Sequence, residues 1–330
     1  MQGGGLAFIQ ATGISKSFRS ERGTRHVLDG VALAVERGEF VSIVGFMGCG
    51  KSTLLNILCG VLDPDEGELR IDGRRQTGVN SCASIVFQNY SLLPWFSTLE
   101  NVRLAVQTAF PTWTRGRQKE HAEQYLSLVG LTDALHRRPS QLSGGMRQRV
   151  AIARAFATEP EVLFLDEPFG ALDALTRGNL QQELATLCSN AERPVTTVMI
   201  TNNIEEALLL SDRIIPMTRG PRATLRAPIA VGLARPRTAE QLLHDESSVR
   251  VRAKVIQALT DQLSPRLQQA SQPSPRLRQA SHLDEPMLCR TVHAESTSPS
   301  LFNGAGPHPR DGAPTDAPRS FAPARVEGQS

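Results

Sequence analysis

The sequence has no apolar run approaching the ~18 residues that a membrane-crossing helix requires, so nothing in it reads as a span. Its start, Met1-Gln2-Gly3-Gly4-Gly5, lacks the basic end and apolar stretch of a secretory leader. Both absences predict a cytosolic protein whose role at a membrane, if any, comes through a partner. Cysteine is sparse: Cys49, Cys59, Cys82, Cys188 and Cys289 stand singly, with no Cys-x-x-Cys pair. That spacing argues against a zinc site or a disulfide framework and for a reducing compartment. Charge of one sign is also missing, since 36 basic against 33 acidic side chains leave +3 over 330 residues. A nucleic-acid partner, which calls for a clustered basic face, is not expected. The chain does hold 40% hydrophobic and 21% charged residues, the balance of a globular protein with a substantial core.

Up to about residue 227 the pattern alternates between strand-like and helix-like segments. Residues 39–45 form a short β-branched run ending in glycine, as in a strand buried on both faces. Residues 85–87, 162–165, 197–200 and 214–215 read likewise. Helices are expected over 51–59, 117–129, 144–157, 176–187 and 203–210, which predicts a largely parallel sheet covered by helices. Residues 228–263 read as a C-terminal extension with a helix over 250–263, where Val251, Val255, Ile256 and Leu259 fall near one face. Beyond it, Ser264-Pro265-Arg266-Leu267 recurs as Ser274-Pro275-Arg276-Leu277, and ten of the 21 prolines follow Leu263. Such a composition cannot bury enough apolar surface to offset its ordering entropy, so 264–330 are expected to be a disordered, Pro-rich tail.

Gly45-Phe46-Met47-Gly48-Cys49-Gly50-Lys51-Ser52-Thr53 follows a strand and opens a helix. Glycine, four residues, then Gly-Lys-Ser is the phosphate-cradling loop: curled backbone N–H groups and the helix N-terminus point at phosphate oxygens. Lys51 is placed to hold the β- and γ-phosphates and Ser52 to ligate Mg²⁺. Cys49 needs no catalytic role there, but its alkylation is expected to block ATP binding. Phe18 upstream offers a flat face for an adenine ring.

Asp166-Glu167 ends the apolar run 162–165. Asp166 is placed to reach Mg²⁺ and Glu167 to orient or deprotonate the attacking water. Leu142-Ser143-Gly144-Gly145-Met146 makes a second, serine-capped, anion-binding helix start. One chain has little use for two such ends on one nucleotide, whereas two chains facing head to tail would use both.

In this order (Phe18, the loop 45–53, Gln88, residues 142–146, Asp166-Glu167 and Ala171-Leu172-Asp173), the motifs resemble the ABC ATPase family over roughly residues 8–227. The resemblance implies an α/β P-loop NTPase with a RecA-like core, a mixed sheet and a helical subdomain at about 89–158. It also implies ATP sandwiched between one subunit's P-loop and the other's Ser143, Gly144 and Gly145. Gln88 would be the lid glutamine that senses the γ-phosphate and the membrane subunit and joins the metal's ligands, and Asp173 would lie at the dimer contact. The implied partners are membrane permease subunits, a second ATPase subunit (identical or different), and a periplasmic or lipid-anchored solute-binding protein acting through the permease. The implied location is peripheral, on the inner face of the plasma membrane.

Residues 86–95, Val-Phe-Gln-Asn-Tyr-Ser-Leu-Leu-Pro-Trp, look like those of nitrate, cyanate, taurine and sulfonate importers, and most like nitrate-type subunits. One departure stands out. The family's Thr-His-Asp segment is Thr201-Asn202-Asn203 here, and asparagine can donate a hydrogen bond but carries no positive charge. Asn202 therefore raises two alternatives: a nucleotide-gated subunit with little hydrolysis, and a pairing with a histidine-bearing ATPase. A non-transport ABC ATPase acting in DNA repair or translation is a further rival. The single P-loop counts against it.

Overall fold

The computed structural model describes residues 7–21, 23–188, 194–235 and 237–261. Strands and helices interleave, three successive strands over residues 66–86 apart, only from residue 39 onward. Before it, β1 (Ile9–Ser20) and β2 (Gly23–Val35) pair antiparallel with no helix between them. Ile9, Ala11 and Ile14 point inward from β1 while their neighbours stay wet, and register shifts break the period after Ala11. Those shifts hide the strand from a period-two reading.

Next come β3 (Phe40–Val44), buried throughout, and α1 (Lys51–Leu58). Strands β4 (Glu66–Ile71) and β5 (Arg74–Arg75) complete a four-stranded sheet in the order β2-β1-β4-β5. After β6 (Ala83–Val86) lie three helices, α2 (Thr98–Ala109), α3 (Arg115–Leu128) and α4 (Gly144–Phe156). They bury Val102, Val106, Ala122, Leu126 and Val150 among them. The sequence reading has no helix over 98–109, yet the signal is present. The Ser97 hydroxyl accepts from Glu100 N–H while the Glu100 carboxylate accepts from Ser97 N–H at 2.7 Å, a capping box.

The chain continues through β7 (Val162–Asp166), α5 (Ala174–Cys188), β8 (Thr196–Thr201), α6 (Ile204–Leu210) and β9 (Arg213–Pro216). It ends, among the described residues, in β10 (Ile229–Ala230), α7 (Ala239–His244) and α8 (Glu246–Thr260). The second sheet runs β10-β9-β3-β8-β7-β6, parallel except for β10, so it is mixed. Its faces separate two cores. Phe40, Leu163, Leu165 and Met199 face the helices α2 to α6, and Val41, Ile43, Phe164, Val198 and Ile200 face α1 and the first sheet. Because β3, β8 and β7 are adjacent and parallel, the ends of all three open at one edge, where α/β sheets place their ligands. No helix among the described residues is long and apolar enough to cross a membrane. The Pro-rich segment 264–330 lies outside the described residues.

Candidate functional site

At that edge a cavity of about 470 Å³ is lined by Phe18, Met47, Gly48, Gly50, Lys51, Ser52, Thr53, Gln88 and Glu167, with Arg25 and Val27. The loop can wrap because its glycines allow it. Gly48 and Gly50 have φ of 74° and 113°, and a Cβ on Gly50 would meet Val27 at 2.9 Å. Lys51 opens α1, is 4% exposed, and donates to the carbonyls of Gly45 (3.0 Å) and Phe46 (3.2 Å). Its ammonium lies 3.4 Å from the Glu167 carboxylate.

Asp166 and Glu167 diverge because the backbone turns sharply between them. Asp166 ends β7 in extended form and accepts from Ser52 Oγ at 3.2 Å. Glu167 has φ of 43° and donates its N–H to Ile200 O at 3.0 Å, which aims its carboxylate towards Lys51 and Gln88. Burial pushes the Asp166 carboxyl above its usual range, opposed by the Ser52 hydrogen bond. Gln88 donates to Glu167 at 3.4 Å. The loop after it bends through positive φ at Tyr90 and Ser91, whose carbonyls accept from Arg154 of α4 at 2.9 and 2.6 Å.

Other predicted residues lie elsewhere. Gly45 and Phe46 form the base of the loop, and Phe46 stacks under the Arg219 guanidinium at 3.8 Å. Cys49 is 3% exposed with its sulfur 2.9 Å from where a Gly45 Cβ would stand, so its thiol points under the loop rather than into the cavity. Burial pushes the thiol pKa up, which slows its alkylation. Ser143 caps α4 by accepting from Met146 N–H, and a Gly145 Cβ would stand 2.4 Å from Thr176 Cγ2 at the start of α5. Asp173 accepts from Thr176 N–H at 3.0 Å. None of Ser143, Gly144, Gly145 or Asp173 lines the cavity of its own chain. Asn202 lines a separate cavity of about 310 Å³ with Phe46, Met47, Ile204, Ile256 and Leu259, where α8 approaches the loop.

Sequence reasoning missed Arg25, which pairs across the sheet with Phe18, and Arg154. Arg25 meets Phe18 only through the bulged register of β1 and β2, and Arg154 ties a loop more than sixty residues away, so neither is visible before the fold is known.

The chain matches the ABC transporter family model over residues 28–170. It is 45% identical to the nitrate import ATP-binding protein NrtD of Synechococcus elongatus over 76% of this chain and 91% of that protein. It is 43% identical to the bicarbonate transport ATP-binding protein CmpD of Synechocystis over 74% of this chain and 86% of that one. Among solved structures, the dimeric structure of the bacterial ABC transporter cassette MJ0796 aligns with a TM-score of 0.60 at 32% identity, covering 68% of this chain and all of that one. The glycine-rich loop with Lys51 and Ser52, Gln88 and Glu167 meet at one cavity, in a chain so similar to known cassettes that one assignment follows: this protein belongs to the ABC transporter family, as one of its ATP-binding and ATP-hydrolysing subunits.

Proposed function

We propose that this chain hydrolyses ATP to drive import of a small planar oxyanion, nitrate in the first place, through a separate membrane permease. The observation that carries the reading is the convergence of Lys51, Ser52, Gln88 and Glu167 on one cavity, in a chain spanning nearly the whole of a nitrate import ATP-binding relative. Nitrate and bicarbonate, named in the two relatives, share a trigonal oxyanion shape, which is why the solute class is kept narrow. The rivals, a non-transport ATPase and a gate with little hydrolysis, have no such support.

Phe18 stacks on adenine, the 45–53 amides and Lys51 hold the phosphates, and Glu167 activates water. The oxygens of Ser52, Asp166 and Gln88 are hard donors that suit Mg²⁺, which would neutralise phosphate charge. A second ATP-binding chain contributes Ser143, Gly144 and Gly145, with Asp173 at the contact. Asn202 takes the position of a switch group, and its lack of charge favours a different, histidine-bearing ATPase as that second chain. Residues 8–227 form the ATPase domain, 89–158 its helical subdomain and 228–263 an extension. The groove of about 640 Å³ lined by Cys82, Leu93, Leu104, Ala105 and Arg154 is apolar enough to receive a permease helix, which holds the chain at the inner membrane face. A solute-binding protein acts from the far side of that permease.

The test is solute uptake by a strain deleted for this chain, offered nitrate, nitrite, bicarbonate or taurine. Loss of nitrate uptake alone, restored by the wild-type chain but not by Lys51→Ala, is expected. Undisturbed nitrate uptake with loss of another solute would overturn the choice of solute.

A further inference from the structure

Glu206 is a buried carboxylate with no part in the site as described above. It is 5% exposed in the first turn of α6, and burial pushes its carboxyl above the usual range. An ionisable group in such a place is costly unless its neighbours hold it. Oε2 accepts from Thr201 Oγ1 at 2.7 Å, and Oε1 accepts from Asn203 Nδ2 at 3.4 Å. The two contacts flank Asn202. Arg177 Nε of α5 stands 3.9 Å from Oε1, an ionic approach without a hydrogen bond, and its Nη2 donates to Leu172 O at 2.8 Å, beside Asp173.

Thr201 is where these ties meet the site. Its carbonyl accepts from Gly45 N–H, the first residue of the phosphate loop, at 3.4 Å. The carbonyl before it, Ile200 O, accepts from Glu167 N–H at 3.0 Å. Thr201 Oγ1 also accepts from Asn203 N–H at 3.0 Å. A carboxylate clamped to Thr201 thus fixes one strand end that borders the phosphate loop, the acidic pair and the Asn202 turn.

We propose that Glu206 is a positioning residue for ATP hydrolysis, whose carboxylate locks the Thr201–Asn203 turn to the strand end holding Glu167 and, through Arg177, to the Leu172 carbonyl. It touches neither nucleotide nor metal. Its effect is on geometry: a base and a switch group displaced by about 1 Å can lose on the order of a hundredfold in rate without losing affinity. Through Arg177 the same carboxylate reports whether the segment 171–173 is in place, so a disturbance there reaches the Asn202 turn of the same chain. Neutral glutamine keeps the shape but weakens both the charge-assisted bond from Thr201 and the pairing with Arg177.

The inference rests on Glu167 being the hydrolytic base, so Glu167→Gln is measured beside it. Glu206→Gln, Arg177→Met and their combination are compared as full-length chains in the assembled transporter, for kcat, KM, ATP affinity and melting temperature. We expect Glu206→Gln to lower kcat about tenfold or more with KM and ATP affinity within about twofold. The double variant should lose little more than the worse single one, because the two side chains act as a unit. Glu206→Asp should recover part of the rate. If Glu206→Gln does not fold, Arg177→Met carries the same comparison, since it leaves the Thr201 and Asn203 bonds in place. An unchanged kcat beside an inactive Glu167→Gln would overturn this proposal alone. So would a rate that falls only in step with melting temperature, or losses that simply add. Full activity in Glu167→Gln would bring down the site assignment and this inference together.

Discussion

Cys49 and Cys82 illustrate how little a residue's place in a motif says about its reactivity. Cys49 lies within the 45–53 loop yet is buried, with its thiol pushed up, whereas Cys82 is exposed and lines the groove with Leu93 and Leu104. The thiolate is the reactive form, so a maleimide near neutral pH should modify Cys82 first in a Cys289→Ser chain. Cys49 should react slowly, at the same rate with and without ATP; rapid, ATP-protected labelling of Cys49 would refute its inward orientation. Asn202 is the second informative residue. It is exposed and lines the same cavity as Phe46, Met47 and, from α8, Ile256 and Leu259. Asn202→His is expected to raise ATP turnover severalfold by adding a cationic contact to the γ-phosphate. No gain, with brisk wild-type turnover, would remove the reason to invoke a histidine-bearing partner.

At the scale of elements, the loops are held by buried polar ties. Asn101 of α2 is 1% exposed; it accepts from Leu93 N–H at 2.8 Å and donates to the carbonyls of Leu93, Phe96 and Ser97. Asn101→Ala strands those groups and should cost about 1–3 kcal/mol in denaturant unfolding. It should also loosen the loop that carries Gln88. Gly50 precedes α1 at φ 113°, a conformation that L side chains avoid. Gly50→Ala should lose ATP affinity, and strain there is about 1–3 kcal/mol; isothermal titration would show it. These two positions also divide what the sequence made legible. Gly50 was readable because a phosphate loop is contiguous: strand, glycines, lysine and helix follow one another in the chain. The role of Asn101 was not, because it depends on where α2 packs. Likewise β1 and β2 escaped notice because their bulges spoil the period, and the Arg154 tie to Tyr90 and Ser91 spans more than sixty residues.

On the scale of the whole molecule, the separation of Ser143 from the cavity of its own chain is the decisive feature. A site completed by a second chain predicts that Ser143→Arg leaves ATP affinity of the isolated chain within about twofold while abolishing steady-state turnover, because only the closed pair assembles both phosphate-facing ends. Equilibrium binding and phosphate release on the same preparation check it, and equal losses in both would place Ser143 in the cis site instead. The central claim, that the cavity beneath Phe18 hydrolyses ATP with Glu167 as its base, has a more direct test. Single-turnover hydrolysis by the full-length chain is compared with that of Glu167→Gln, with bound nucleotide identified at each time. The account predicts intact ATP binding and a fall in the hydrolytic rate on the order of a hundredfold or more, with nucleotide retained as ATP. Conversion to ADP at the wild-type rate would contradict it.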